Sequence, residues 1–477
     1  MPTARQFTDG QICLTMSKIV SMRGFLTSSL GTPWIAVCSI GVTCAATLAV
    51  PLTPPASAAP ARAAAPNAAD PVIPGSTRSL PLGPLSAERV RGTAPEQGLY
   101  RPDGEDFSLV GVVWRDPGTA LRGRVQVRAR SAATGEWSRW QDLDPHNADH
   151  GADPGTAERD ARRVRGATAP LWVGASDGVD VRVRADAALR GGRTGGQRPP
   201  LPSGLRVELV DPGDEGPPAG APAGPPHTSL HTAAAREASA ANTDVTRFGA
   251  MAIPALDKRA TERELARLQG PLRGKPHIGP RPRIVTRRGW GADESLRLSG
   301  FTYMKKIKAA FVHHTASGNK YACSQASSVI RGIYRYHVQS MGWRDMGYNF
   351  LVDKCGTIYE GRAGGVAKAV LGAHTAGFNA DSMGIAVIGT YGSAKPPGAA
   401  VRAVARLTAW KLGLYGANPR GRTYLTSGGG NLYPKGKKVR LNVISGHRDG
   451  YATECPGKRL YAKLGTARSS AARYQGR

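Results

Sequence analysis

Two stretches of this chain carry residues with the types and spacing of a metal centre. FVHHTASG, from Phe311 to Gly318, sets His313 beside His314 behind the apolar run IKAAFV. SGHRDGYATECPG carries His447 and, in a Gly- and Pro-bounded loop, Cys455. Neighbouring side chains on a strand point to opposite faces, so at most one of His313 and His314 serves a given site. Two imidazole nitrogens and a thiolate suit zinc and leave a fourth position open, which is the catalytic arrangement. On the competing reading each histidine is a hydrogen-bonded polar group and Cys455 a small buried hydrophobe. His146 and His150 sit in PHNADHGADPGTAERDARR, a long polar loop between strands, and read as surface histidines.

For such residues to meet, strand ends must converge at one edge of a sheet. IKAAFVHH, SMGIAVIGTY and VRLNVISGHRD read as strands, and YNFLVDKCGTIYEGR as two strands joined by a turn at Lys354 to Gly356. SQASSVIRGIYRYHVQS and AAVRAVARLTAWKLGLYG have helical spacing, the first through Val329, Ile330 and Ile333, the second through Val401, Val404, Leu407 and Trp410. The C-terminal part, 281–477, is therefore expected to be an α/β domain with a mixed sheet flanked by helices. Upstream, 79–214 alternates with period two in FSLVGVVWR, RVQVRARS and VDVRVRA, an all-β signature of the sandwich type with arginines facing solvent. Between them, 215–280 reads as a Pro/Gly-rich linker with a short helix over Thr261 to Gln269.

The chain has 477 residues, a net charge of +29 and 60 glycines, so it exceeds one compact domain and seeks a polyanion or simply wears a basic surface. An apolar run from Pro33 to Val50, followed by Ala56-Ser57-Ala58, has the layout of a secretory signal over 1–58, with Met16 or Met22 as alternative starts. Residues 59–78 read as a disordered lead-in. No second long apolar run follows, so no stable membrane span is expected in the mature chain. For an exported chain an anionic envelope is a better partner than nucleic acid. Cys13, Cys38 and Cys44 fall in the signal region; of Cys323, Cys355 and Cys455, two should pair in an oxidising compartment and one is left over.

The last domain resembles the peptidoglycan recognition protein domain of the type 2 N-acetylmuramoyl-L-alanine amidases, and the layout resembles secreted actinobacterial members. The matching blocks are RRGWGA, FVHHTA, MGYNFLVDKCGTIYEGRAGG, GAHTAGFNADSMGIAVIGTY and SGHRDGYATECPG, in the family's order over about Arg281 to Leu464. The resemblance implies zinc held by His313, His447 and Cys455, with His314 on the other face. It implies that Tyr348 and Thr453 lie beside the metal, that His374 lines the substrate groove, and that Cys323 and Cys355 are cross-linked. Asn379 reads as structural or groove-lining, and Trp343 and Arg362 as groove candidates against a packing or surface role. The activity implied is hydrolysis of the amide between N-acetylmuramic acid and L-alanine, outside the cell or at the wall. Peptidoglycan would be the substrate, and anionic wall polymers a further contact. Tyr348, with a reference pKa of about 10, is a poor base and a good donor to an oxyanion. Thr453 stands where phage-type relatives carry lysine, so a charged donor is missing. The rival readings are a non-catalytic peptidoglycan receptor, which would commonly lack Cys455, and a structural envelope protein.

Overall fold

The computed structural model describes residues 75–85, 96–101, 103–145, 147, 149–186, 200–213, 230, 232–272 and 274–477. The expected signal segment, most of the lead-in, the first part of the linker and His146 lie outside the described residues.

Alternation builds the N-terminal region. Its strands are β1 (Ser76–Pro81), β2 (Gly83–Pro84), β3 (Glu96–Arg101), β4 (Phe107–Trp114), β5 (Gly123–Ser131), β6 (Gln141–Leu143), β7 (Gly166–Ala167), β8 (Leu171–Ala185) and β9 (Arg206–Asp211). In β5, Val125, Val127 and Ala129 turn inward, while Arg128 and Arg130 turn out to Asp180 and Asp177. The long β8 joins two layers. Its start pairs with β4, which continues through β9 to β1, and its remainder pairs with β3 and β5. Val110, Val112 and Val207 of one layer meet Val125, Val127 and Val181 of the other in one core, so the region is an all-β sandwich. β1 begins inside the expected lead-in, because its residues pair with β9 from Ser76↔Asp211 onward.

The segment expected to be a linker is structured from Thr232 on. It contains α1 (Ala233–Ala240), β10 (Ala252–Ile253) and α2 (Lys258–Gln269). Asp257 accepts from Ala260 N at 2.7 Å and starts α2 one turn before the expected helix. Ile253, Leu265 and Ile278 are core residues of the C-terminal domain, and β10 pairs with β11 (Ile284–Val285), so this domain begins well before residue 281.

The C-terminal domain continues with α3 (Arg287–Trp290), β12 (Ala309–His314), α4 (Ala326–Arg335), β13 (Phe350–Val352), β14 (Ile358–Glu360), β15 (Ser382–Val387), α5 (Gly398–Gly413), β16 (Arg422–Thr426), β17 (Lys438–Asn442), β18 (Ile444–Gly446), α6 (Lys458–Tyr461) and α7 (Leu464–Gln475). Its sheet runs β10-β11-β14-β13-β15-β12-β18, mixed parallel and antiparallel. β12 is parallel to β15 on one side and β18 on the other, and all six of its residues are buried. α5 and α7 cover one face, where Leu407 and Trp410 meet Val312 and Ile385. α4 covers the other, where Ile330 and Ile333 meet Leu351 and Ala386. VRLNVISGHRD, expected as one strand, is split: β17 pairs with β16 in a separate hairpin and β18 joins the main sheet.

The sandwich packs on α4. Leu109, Val113 and Val210, the outward residues of β4 and β9, share a core with Ile330, Ile333 and Tyr336. Tyr336 donates its hydroxyl to Thr168 O at 3.0 Å, and Ser340 donates to Glu208 at 2.9 Å.

Candidate metal centre

β12 and β18 run parallel, so they deliver His313 and His447 to the same end of the sheet. His313 is the penultimate residue of β12, and His447 opens the short turn after β18. Cys455 comes back over them in the following loop. A fourth donor arrives from the sandwich: His150, in the loop 144–165 between β6 and β7. One donor atom from each of His150, His313, His447 and Cys455 lies within 4.8 Å of the others, and all four residues are buried. Cys455 Sγ is 3.8 Å from His313 Nδ1 and 3.8 Å from His150 Nε2. A tetrahedral ion with metal–sulfur and metal–nitrogen bonds of about 2.3 and 2.0 Å separates such donors by about 3.5 Å.

The imidazoles are held so that a nitrogen is free for a metal. His150 Nδ1 lies 2.9 Å from Asp149 Oδ1, which leaves Nε2 facing Cys455. His313 Nε2 lies 3.3 Å from both His374 Nδ1 and Thr375 Oγ1, which leaves Nδ1 facing Cys455. This is the usual way in which outer partners fix the tautomer of a ligand histidine. His447 is fully buried and neither ring nitrogen has a hydrogen-bond partner; Asp149 Oδ2 stands 3.8 Å from its Nδ1. Leaving buried polar atoms unpaired costs about 1–3 kcal/mol each. A metal ion accepting the lone pair of His447 removes part of that cost, so the residues present fit a bound metal.

The electrostatics agree. Burial holds His313 well below the usual imidazole range and lowers His447 to about 3, so both stay neutral with lone pairs available. Burial, then the Asp149 carboxylate, pushes the Cys455 thiol up. A bound cation reverses that direction, because thiolate is the ligand form. Burial works to raise Asp149, but His150 and His447 outweigh it and hold the carboxyl well below the usual range.

The other residues singled out in the sequence fall around this cluster. His314 points away and accepts from Tyr391 N at Nδ1, 3.1 Å. Tyr348 has its ring centroid 5.4 Å from that of His313 and 5.9 Å from that of His150, and burial pushes its phenol well above the usual range. Thr453 helps to hold the Asp149 carboxyl low and accepts from Cys455 N at 3.2 Å. His374, expected on the groove wall, is fully buried behind His313. Asn379 takes the backbone N–H groups of His374 and Thr375 on its Oδ1 and donates Nδ2 to Gly151 O and Asp153 Oδ1. Arg362 forks onto Glu158 at 2.7 and 3.0 Å, and Trp343 stacks on His337 with 4.5 Å between centroids. Cys323 and Cys355 form a disulfide, tying the turn before α4 to the β13–β14 hairpin, and Cys455 is the free cysteine among the described residues.

His150 is the residue that sequence reasoning missed. Reading it as a surface histidine is corrected here: it is 6% exposed and reaches Cys455 across 305 residues of chain. The Asp149-His150 pair was the available signal, and nothing local marks it as belonging to a site in another domain.

Residues 303–458 match the family described as N-acetylmuramoyl-L-alanine amidase, and residues 55–228 match one described as Rv3811 N-terminal galactose-binding domain-like. Peptidoglycan-recognition protein SC2 of Drosophila simulans is 32% identical over 185 residues, 38% of this chain and 85% of the relative. Peptidoglycan recognition protein 1 of Bos indicus is 32% identical over 182 residues, 37% of this chain and 80% of the relative. Among solved structures, Drosophila PGRP-LB aligns with a TM-score of 0.30 and 26% identity over 38% of this chain and 92% of its own. No helix among the described residues is long and apolar enough to cross a membrane.

Proposed function

This chain belongs to the peptidoglycan-recognition protein family, and from that premise we propose that its C-terminal domain is a zinc amidase that cuts the bond between N-acetylmuramic acid and L-alanine in peptidoglycan. The observation that carries the reading is Cys455 within 3.8 Å of His313 Nδ1, with His447, whose ring nitrogens have no hydrogen-bond partner, completing a buried donor set. His313, His447 and Cys455 would hold the ion. Bound zinc supplies Lewis acidity, polarising a carbonyl and bringing the pKa of water to about 7.

The chain's own residues supply the rest. Tyr348 stays protonated and donates to the oxyanion that develops as the amide is attacked. His374 keeps His313 in the tautomer that frees Nδ1. Asn379, Arg362 and Trp343, which the β6–β7 loop covers in this structure, would present donors and an aromatic face to the stem peptide once uncovered. The Cys323–Cys355 disulfide suits an oxidising compartment, outside the cell or at the wall.

One observation favours a second reading. With His150 included, the site has four protein donors, the pattern of a structural zinc, and the protein would then bind peptidoglycan without cutting it. The test is mass spectrometry of purified peptidoglycan incubated with the zinc-loaded chain and with its His150→Ala variant. Stem peptides beginning with free L-alanine, from either protein, support the amidase. Binding without such peptides from both would replace it with the receptor reading.

A further inference from the structure

We propose that the loop between β6 and β7 is a built-in plug that keeps the amidase latent: His150 takes the fourth coordination position and the loop's acidic residues fill the substrate groove. The proposal rests on the zinc amidase reading and adds its regulation.

Polar loops ordinarily run over the surface. This one is buried at its tip, where Asp149 and His150 are 3% and 6% exposed. His150 is prepared as a ligand in the same way as His313: Asp149 engages Nδ1 and directs Nε2 at the cluster. Catalysis at such a metal needs a position for water or substrate, and His150 would occupy it.

The rest of the loop covers the groove. Glu158 receives the guanidinium fork of Arg362. Asp153 receives Asn379 Nδ2 and, at 2.9 Å, Gly377 N, while Ala376 N donates to Asp149 O at 3.0 Å. Gly151 lies against Trp343, where an added Cβ would stand 3.4 Å from the ring. Arg163 Nε donates to Gly342 O at 2.8 Å, and Arg165 N to Met341 O at 3.1 Å, which pins the loop's far end. The loop thereby takes up, with Asp153 and Glu158, the Asn379 and Arg362 donors that a substrate carboxylate or carbonyl would need. With it in place, Trp343 and Arg362 are 4% and 8% exposed and His313 is wholly covered. Substrate reaches them only when the loop leaves.

The experiment uses the full chain loaded with cobalt(II) in place of zinc and reads its visible absorption during an azide titration. Four protein donors leave azide no position, so the wild-type spectrum should stay unchanged. His150→Ala should keep its metal and show a saturable azide shift. It should also release stem peptides on the order of 100-fold faster, as expected if the loop is seated about 99% of the time. Asp153→Ala/Glu158→Ala, which keeps His150, should show a smaller gain in both readouts and serves if His150→Ala fails to fold. Equal azide responses in wild type and variants overturn the plug, and so does measurable peptide release at the same rate from all of them. An azide shift confined to the variants, with no peptide release from any protein, leaves the plug standing and overturns the amidase reading.

Discussion

His313 and His314 differ in fate because β12 is pleated: one turns to the cluster, its neighbour to Tyr391 N. That alternation was legible in FVHH, although which of the two turned to the candidate metal cluster came from resemblance and not from spacing. The difference sets an order of severity. His313→Ala and Cys455→Ser should each lose the metal, measured as zinc per chain after dialysis. His314→Ala should retain it and lose about 1–3 kcal/mol of stability for the unpaired Tyr391 amide. Equal zinc loss in His313→Ala and His314→Ala, with folding intact, would reverse the assignment of faces. His374→Ala removes an outer partner and should weaken zinc affinity by about 10- to 100-fold. His150 was illegible because its evidence is entirely non-local: its polar neighbours describe a loop, and only the partner domain supplies the cluster.

At the scale of elements, strand and helix periods were legible where apolar residues are dense, as in β12, α4 and α5. Between Thr232 and Gly270 they missed α1 and β10 and started α2 a turn late, because KRATERELARLQ buries only Thr261 and Leu265 and its first turn carries no large apolar residue to mark it. Short α3 shows what holds the sparse elements. Arg287 is buried and pairs with Glu294 at 2.7 Å and Asp345 at 3.0 Å. Arg287→Met should cost about 3–5 kcal/mol in chemical denaturation, because it leaves buried Asp345 without its cation and Glu294 with Arg297 alone; a cost under about 1 kcal/mol would mean that water reaches them. The disulfide closes a separation of 32 residues, for which chain entropy gives about 3–4 kcal/mol. Reduction should therefore lower the melting temperature, and an unchanged melting curve after confirmed reduction would show that the α4 turn needs no cross-link.

At the scale of the molecule, the sandwich and the α/β domain were both foreseeable from alternation and helical spacing, but their docking was not. The reason is visible in β4, whose pattern FSLVGVVW is apolar on both faces: Val110 and Val112 face the sandwich core, Leu109 and Val113 face α4. A strand apolar on both sides must be covered twice, and here the second cover is another domain. Gly111 lies at the contact. A Cβ there would stand 2.4 Å from Tyr336 Oη, and Tyr336 is fully buried against Thr168. Gly111→Val should overpack this surface at a cost of about 1–3 kcal/mol. Because β6 and β7 carry the 144–165 loop, a loosened sandwich should also loosen the loop's hold on Arg362 and Asn379. The expected result is a lower melting temperature together with faster protease cleavage within 144–165, at unchanged far-ultraviolet circular dichroism. A lower melting temperature with the loop still protected would show that its own contacts to Arg362, Asn379 and the buried His–Cys cluster seat it, and that docking contributes nothing to holding it there.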